Sequence, residues 1–151
     1  MKAISITQQK TQRDFMKERR QHGMGYVGRK YNQGGDTYEK EVKPARKMLE
    51  RCFCHSYHTQ CHVISEEERQ LVFQEIWSMN DEGRRRYIWT QIDRIRSERE
   101  FSRKKQLLFY HLAIGGGRMR VCKKMFLSTT GIRQWWILNT IRQGVEHQEV
   151  E

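Results

Sequence analysis

The chain has 151 residues, enough for one ordinary domain with a modest core but too few for most catalytic domains together with a separate binding module. It carries 29 Lys and Arg against 18 Asp and Glu, a formal charge of +11, so polyanions are the expected partners. No apolar run approaches the ~20 residues that cross a bilayer, and the N-terminus lacks the apolar stretch of a secretory signal, so we expect an intracellular protein.

Residues 1–40 are expected to form a basic, mostly disordered leader. The stretch is polar, holds five of the 11 glycines and shows no sustained hydrophobic period, with at most a short helix around Phe15. We expect a single small domain over residues 41–144, followed by a short acidic tail at residues 145–151.

A dense group of cysteines and histidines follows in the segment CFCHSYHTQCH. Zinc prefers four thiolate or imidazole ligands in a tetrahedron, and a short loop can supply three of them at little cost in chain entropy. A distant cysteine is the natural fourth. The candidate Zn²⁺ ligands are therefore Cys52, Cys54, Cys61 and Cys122, with His55 or His58 as a substitute for any one of them. Spacing alone leaves a second interpretation open, in which the loop holds ordinary reduced cysteines and Cys122 packs in the core.

Two helices and a hairpin are predicted after the cysteines. Ser65 and Glu68 have the spacing of a capping box at the start of SEEERQLVFQEIWSM, whose apolar residues form one stripe. A second helix begins after Asn80 or Asp81, and its apolar stripe continues to Ile95. The runs LLFYHLAI and RMRVC flank three consecutive glycines, which predicts a β-hairpin.

The last predicted element is a helix-turn-helix in the stretch VCKKMFLSTTGIRQWWILNTI. β-Branched residues beside Gly131 are poor helix interior, which favours helices over 121–129 and 133–143 with a turn between them. Residues 106–144 contain six basic residues and no acid, a balance that suits a DNA-facing surface. An ordinary αα-hairpin with a solvated face shares the apolar pattern. The predicted fold class is mainly α with a small β-hairpin, a small cysteine/histidine cluster and a C-terminal helix-turn-helix.

The order of these motifs resembles a known group of proteins. GRKY…VKPAR…CFC…C…ISEEERQLVFQEIWSMND, an aromatic hairpin and then RVCKKMFLSTTGI is similar to the N-terminal region of transposon-derived, DDE-transposase-like animal proteins that are abundant in insects. The resemblance covers roughly residues 28–141. It implies structural roles for the four cysteines, core roles for Ile64, Phe73 and Trp77, and DNA reading after Gly131. The gap between the second and third cysteines and the run RQWW depart from the group's usual pattern.

No residue pattern indicates catalysis. A nuclease-type transposase needs three carboxylates around two metal ions, whereas the acids here cap a helix or lie among arginines, and no GxxxxGK[ST] loop is present. We therefore predict a non-catalytic, nuclear, DNA-binding protein of the helix-turn-helix type. Its predicted DNA contacts are Arg118, Arg120, Lys123 and Lys124 on phosphates, and Arg133, Gln134, Asn139 and Arg142 on the second helix.

Two other functions stay open at this point. A protein-interaction module would use Trp135 and Trp136 as anchors, because aromatic residues carry much of the binding energy of interfaces. A basic face with exposed Tyr and Phe would instead stack on the bases of RNA or another single strand.

Overall fold

The computed structural model describes residues 10–98, 100–101, 103 and 106–144. The predicted acidic tail at 145–151 and the first nine residues of the predicted leader lie outside the described residues. The chain divides into two compact units, Met1–Arg46 and Lys47–Glu151. The boundary between the units thus follows shortly after the predicted end of the leader.

The first unit contains a helix and a β-hairpin. Helix α1 (Gln12–Gln21) begins after Thr11, whose hydroxyl accepts from the Asp14 amide while the Asp14 carboxylate accepts from the Thr11 amide. Strand β1 (Tyr26–Tyr31) pairs antiparallel with β2 (Tyr38–Lys43). No described residue of this unit is buried, so hydrogen bonds and half-exposed contacts hold its elements.

The second unit combines helices with a three-stranded sheet. Its elements in chain order are α2 (Glu66–Ser78), α3 (Asp81–Gln91), β3 (Ile92–Arg96), β4 (Gln106–Ile114), β5 (Gly117–Val121), α4 (Lys123–Thr130) and α5 (Gln134–Gln143). The strands are antiparallel in the order β3-β4-β5. A 3-10 turn at Cys61–Val63 precedes α2, and Ser65 and Glu68 form the predicted capping box.

The core of the second unit lies between the sheet and the helices. Alternation along β4 buries Tyr110 and Leu112 on one face. Phe126 of α4 is fully buried, and its ring centroid lies 5.3 Å from that of Tyr110. Ile88 and Ile137 bring α3 and α5 into the same cluster. Because α4 directly follows β5, this packing also fixes the position of the residue that joins them, the last of the four cysteines.

The predicted break at Gly131 is present. Helix α4 ends at Thr130 and α5 begins at Gln134. Gly131 has φ of 65°, a left-handed conformation that glycine adopts at little cost, and its amide donates to the Leu127 carbonyl over 3.0 Å. Gly131 therefore ends α4 and separates it from α5.

The prediction of a mainly α fold with one small hairpin is wrong, because the described residues form a mixed α/β structure with five helices and two sheets. The predicted second helix stops at Gln91, and Ile92–Arg96 pairs with β4 instead. Ile92 and Ile95 fit a helical stripe as well as a strand, and pairing with β4 satisfies the backbone of these β-branched residues. In the other sheet, β1 and the first residues of β2 lie within residues 1–40, the segment expected to be mostly disordered.

Candidate metal centre and basic groove

Three of the four cysteines lie on one segment and the fourth at a helix start. Cys52 and Cys54 stand on irregular chain, Cys61 begins the 3-10 turn, and Cys122 is the N-cap of α4. The residue before Cys61 donates its amide to the Arg120 carbonyl over 2.7 Å, which holds this segment against the end of β5. The fold thereby brings together thiols that are distant in sequence.

The four thiols converge on one point. Their Sγ atoms all lie within 4.8 Å of one another, and those of Cys52 and Cys54 are 3.6 Å apart. Four sulfurs around a tetrahedral ion with ~2.3 Å bonds lie about 3.8 Å apart. The group could therefore hold one metal ion after shifts of about 1 Å or less. The structure brings together all four predicted cysteine ligands.

Backbone amides point at two of the sulfurs. The Cys122 amide donates to Cys61 Sγ over 3.2 Å, and the Met125 amide donates to Cys122 Sγ over 3.3 Å. Donors of this kind favour the thiolate over the thiol and orient the ligand. The positive end of α4 acts in the same direction on Cys122. These donors offset part of the cost of burying a thiolate at the two sulfurs, and burial remains the larger effect on the pKa of both thiols.

Burial opposes ionisation of two of the four thiols. Burial raises the pKa of Cys122 to about 12 and also raises the pKa of Cys61. The hydroxyl of Thr59 lowers the pKa of Cys54 to about 7. A divalent cation would supply the charge that lets all four act as thiolates, with release of their protons. Metal binding to this group should consequently weaken as the pH falls.

The predicted substitute ligands lie outside this group. His55 and His58 are exposed. Among the described residues, the ligand atoms that converge are the four cysteine sulfurs, and neither histidine is part of that group. Four sulfurs complete a tetrahedron and leave no position for water or substrate on a four-coordinate ion. The chemistry of the group therefore suits a structural ion rather than a catalytic one.

A groove opens beside the cysteine cluster, along β4, β5 and the first turns of α4 and α5. Among the residues that the structure describes, its lining includes Phe109, Arg120, Lys123, Gln134 and Leu138, together with Cys122, and none of these lining residues is acidic. The Arg120 guanidinium lies 4.3 Å from the centroid of the Phe109 ring. We refer to this feature as the basic groove. The positive charges of Arg120 and Lys123 suit an anion.

The groove contains three of the predicted DNA-contacting residues, Arg120, Lys123 and Gln134. Four others lie outside its lining, and all but the half-buried asparagine are exposed: Lys124, Arg133, Asn139 and Arg142. Arg118 also lies outside it, and its guanidinium pairs with the Asp93 carboxylate over 2.9 Å. That pairing already balances its charge in part.

The two neighbouring tryptophans do not form a shared surface. Trp135 is 72% exposed, whereas Trp136 packs against the core and has the Arg85 guanidinium 5.6 Å from its ring centroid. An interface anchored by both rings is therefore not preformed.

Sequence reasoning missed Arg69, which is 1% exposed and holds α4 in place. Its guanidinium donates to the Leu49 carbonyl over 2.7 Å, to the Thr129 hydroxyl over 2.9 Å and to the Glu66 carboxylate over 2.9 Å. The only sequence signal is an i, i+3 spacing of Glu66 and Arg69, which is common on exposed helices. Of the residues implied to be core by the resemblance, Ile64 is buried, while Phe73 and Trp77 are half-buried.

Comparisons with family models, curated proteins and solved structures found no match to this chain. Every helix in the part of the chain that the structure describes is too short or too polar to cross a membrane.

Proposed function

We propose that this chain is a non-catalytic DNA-binding protein in which a structural zinc ion fixes a basic groove. The groove is the observation that carries the proposal, because Arg120, Lys123 and Gln134 line it together and its described lining residues include no acid. These side-chain types are the ones by which proteins contact phosphates and base edges. A chromosomal partner implies a nuclear location. This function agrees with the resemblance to the N-terminal region of transposon-derived proteins.

Zinc is the proposed ion at the cysteine cluster. Tetrahedral sites with four sulfurs take zinc or iron, and a closed site of this kind that joins distant segments is typical of structural zinc. Cys122 lies one residue before Lys123 and two after Arg120. A zinc ion on Cys122 would therefore fix the backbone from which both cations of the groove project.

The groove residues make different kinds of contact with duplex DNA. Arg120 and Lys123 neutralise phosphates, and Lys123 stands at the first turn of α4, where the helix N-terminus also attracts phosphate oxygens. Gln134 is the exposed first residue of α5, and its amide can make two hydrogen bonds to adenine in the major groove. Phosphate contacts therefore outnumber base contacts, and we expect a modest sequence preference.

The test is fluorescence anisotropy with a labelled mixed-sequence duplex, measured from about 50 to about 200 mM salt. The affinity of the full chain should fall steeply with salt, since each neutralised phosphate contributes about 0.9 to the logarithmic slope. Lys123→Gln should weaken binding to every sequence and reduce that slope by about one. Gln134→Ala should weaken binding to preferred sequences and leave the slope unchanged.

Arg86→Gln is the matched control for charge. Arg86 is exposed on α3, pairs with Glu82 over 3.0 Å and lies outside the lining of the groove. Its substitution removes the same charge as Lys123→Gln and should alter the slope little. Equal effects of the two substitutions, or affinity that does not change with salt, would contradict the proposal.

A further inference from the structure

The β-hairpin of the first unit has two faces of different chemistry. Side chains alternate along each strand, so residues that are paired across the strands share a face. One face, named here the aromatic face, consists of three cross-strand pairs: Tyr31 with Tyr38, Arg29 with Lys40, and Val27 with Val42. It contains no acid. The opposite face carries Glu39 and Glu41 beside Lys30 and Lys43.

The aromatic face is open to solvent. Tyr31 is 55% exposed and Tyr38 is 48% exposed, and both valines are exposed as well. The centroids of the two tyrosine rings lie 5.7 Å apart, and the Arg29 guanidinium is 4.6 Å from the centroid of the Tyr38 ring. Proteins hold single-stranded nucleic acid with this combination, in which rings stack on bases and cations follow the backbone.

The described part of the first unit forms no buried core that would explain these exposed rings. None of the described residues from 10 to 46 is buried, and a two-stranded sheet is only marginally stable in water. A ligand that stacks on the rings and covers the valines would supply the apolar burial that the unit lacks. The aromatic face is therefore suited to a partner with flat, apolar bases and a negative backbone.

We propose that the aromatic face binds single-stranded nucleic acid. Bases stack on Tyr31 and Tyr38, while Arg29 and Lys40 contact phosphates. The bases must be unpaired, because neighbouring base pairs cover their faces within a duplex. The turn between the strands is polar and carries Asp36, which disfavours insertion of the hairpin tip into an anionic membrane. The site uses none of the residues of the basic groove and is independent of the duplex binding proposed above.

The test measures binding of the full chain to labelled oligo(U) and oligo(dT) of equal length. The double variant Tyr31→Ser, Tyr38→Ser should lose affinity roughly tenfold or more and keep its salt slope, because stacking releases no counterions. Tyr31→Phe with Tyr38→Phe keeps both rings and should bind within about twofold of wild type. Loss on either strand supports the proposal, and the tighter wild-type ligand identifies RNA or DNA as the preferred strand.

A pair of charge variants keeps the proposal testable even if the serine variant loses the hairpin. Arg29→Gln with Lys40→Gln should reduce the salt slope for single strands by about 1.4, at about 0.7 for each phosphate. Lys30→Gln with Lys43→Gln removes equal charge from the opposite face and should change the slope much less.

Three results would overturn the proposal. The first is a folded serine variant that binds both oligonucleotides with wild-type affinity. The second is an equal change of salt slope in the two charge variants, and the third is binding to phosphatidylserine vesicles that requires the tyrosines when oligonucleotide binding does not. Affinity for the mixed-sequence duplex should be unchanged in the serine variant. Failure at the hairpin is thereby distinguishable from failure at the basic groove.

Discussion

Arg69 stabilises the second unit only because its donors are satisfied. Removing a guanidinium from water costs several kcal/mol, and the charge must recover this through hydrogen bonds and a counter-ion. Its partners belong to three parts of the chain: Leu49 ahead of the cysteines, Thr129 on α4 and Glu66 on α2. One buried side chain therefore fixes α4, whose N-cap is the candidate metal ligand Cys122 and whose first residue is Lys123 of the basic groove.

We expect Arg69→Met to lower the free energy of unfolding by about 3 kcal/mol. The substitution keeps much of the side-chain volume but leaves the Leu49 carbonyl and the Thr129 hydroxyl without these donors. Urea denaturation of the full chain measures the change. Arg86→Met is the control, because its exposed pair with Glu82 is worth only about 0.5 kcal/mol. Similar losses in the two variants would show that the buried network contributes little.

At the cysteines, we expect about one zinc per chain in protein purified without chelator, measured by elemental analysis. Cys54→Ser and Cys122→Ser should each lose most of the metal, because a hydroxyl is a far poorer zinc ligand than a thiolate. His55→Ala should keep it, since His55 is exposed and outside the converging group. Iron in place of zinc, or metal retained by both serine variants, would refute the assignment.

The grouping of the four cysteines could be predicted from the sequence, whereas the burial of Arg69 could not, and the difference has a physical reason. Metal ligands are drawn from few residue types, and a loop that holds three of them restricts where the fourth can be. An arginine is usually exposed, and its burial depends on acceptors that tertiary structure brings from distant segments. Leu49 is 20 residues away from Arg69 and Thr129 is 60 residues away. The sequence immediately around Arg69 therefore does not indicate these contacts.

Among the helices and strands, those determined by local interactions could be predicted and those that depend on distant pairing could not. Helix α2 and the break at Gly131 were predictable, because a capping box and a left-handed glycine act within a few residues. Strand β3 was not, because Ile92–Arg96 becomes a strand only through pairing with Gln106–Tyr110 across a charged connection. The β1–β2 hairpin also went unrecognised, since its strands are rich in charged residues and bury no apolar face.

Gly131→Ala should destabilise the second unit more than glycine-to-alanine substitution at another left-handed position. A Cβ at Gly131 would lie 3.1 Å from Phe73 Cε2 and 3.4 Å from the Lys47 carbonyl oxygen, in addition to the strain of φ +65°. Gly116 has φ +76°, and a methyl group added there would meet open space, so Gly116→Ala reports strain alone, about 1–2 kcal/mol. We expect Gly131→Ala to cost about 1 kcal/mol more by urea denaturation. Equal costs would mean that Phe73 moves aside freely.

Across the second unit, a metal at the cysteine cluster would act as a long-range cross-link. It would join Cys52 to Cys122 and so close a loop of about 70 residues that contains α2, α3 and the whole of the β3-β4-β5 sheet. The loop-entropy relation that describes disulfide cross-links gives about 4 kcal/mol of stabilisation for a loop of this length, because closing the loop removes entropy from the unfolded state. A small unit with a modest core depends strongly on a contribution of this size.

Chelation should therefore lower the thermal midpoint of the full chain by at least about 10 °C, measured by circular dichroism. Added zinc should restore it. Acidification from neutral pH should lower the midpoint in the same direction, because the thiolates regain protons and release the ion. The variant Cys122→Ser should start from the low midpoint and respond to neither chelator nor zinc. Equal midpoints of wild type with and without chelator would show that the second unit folds without a contribution from a bound metal ion.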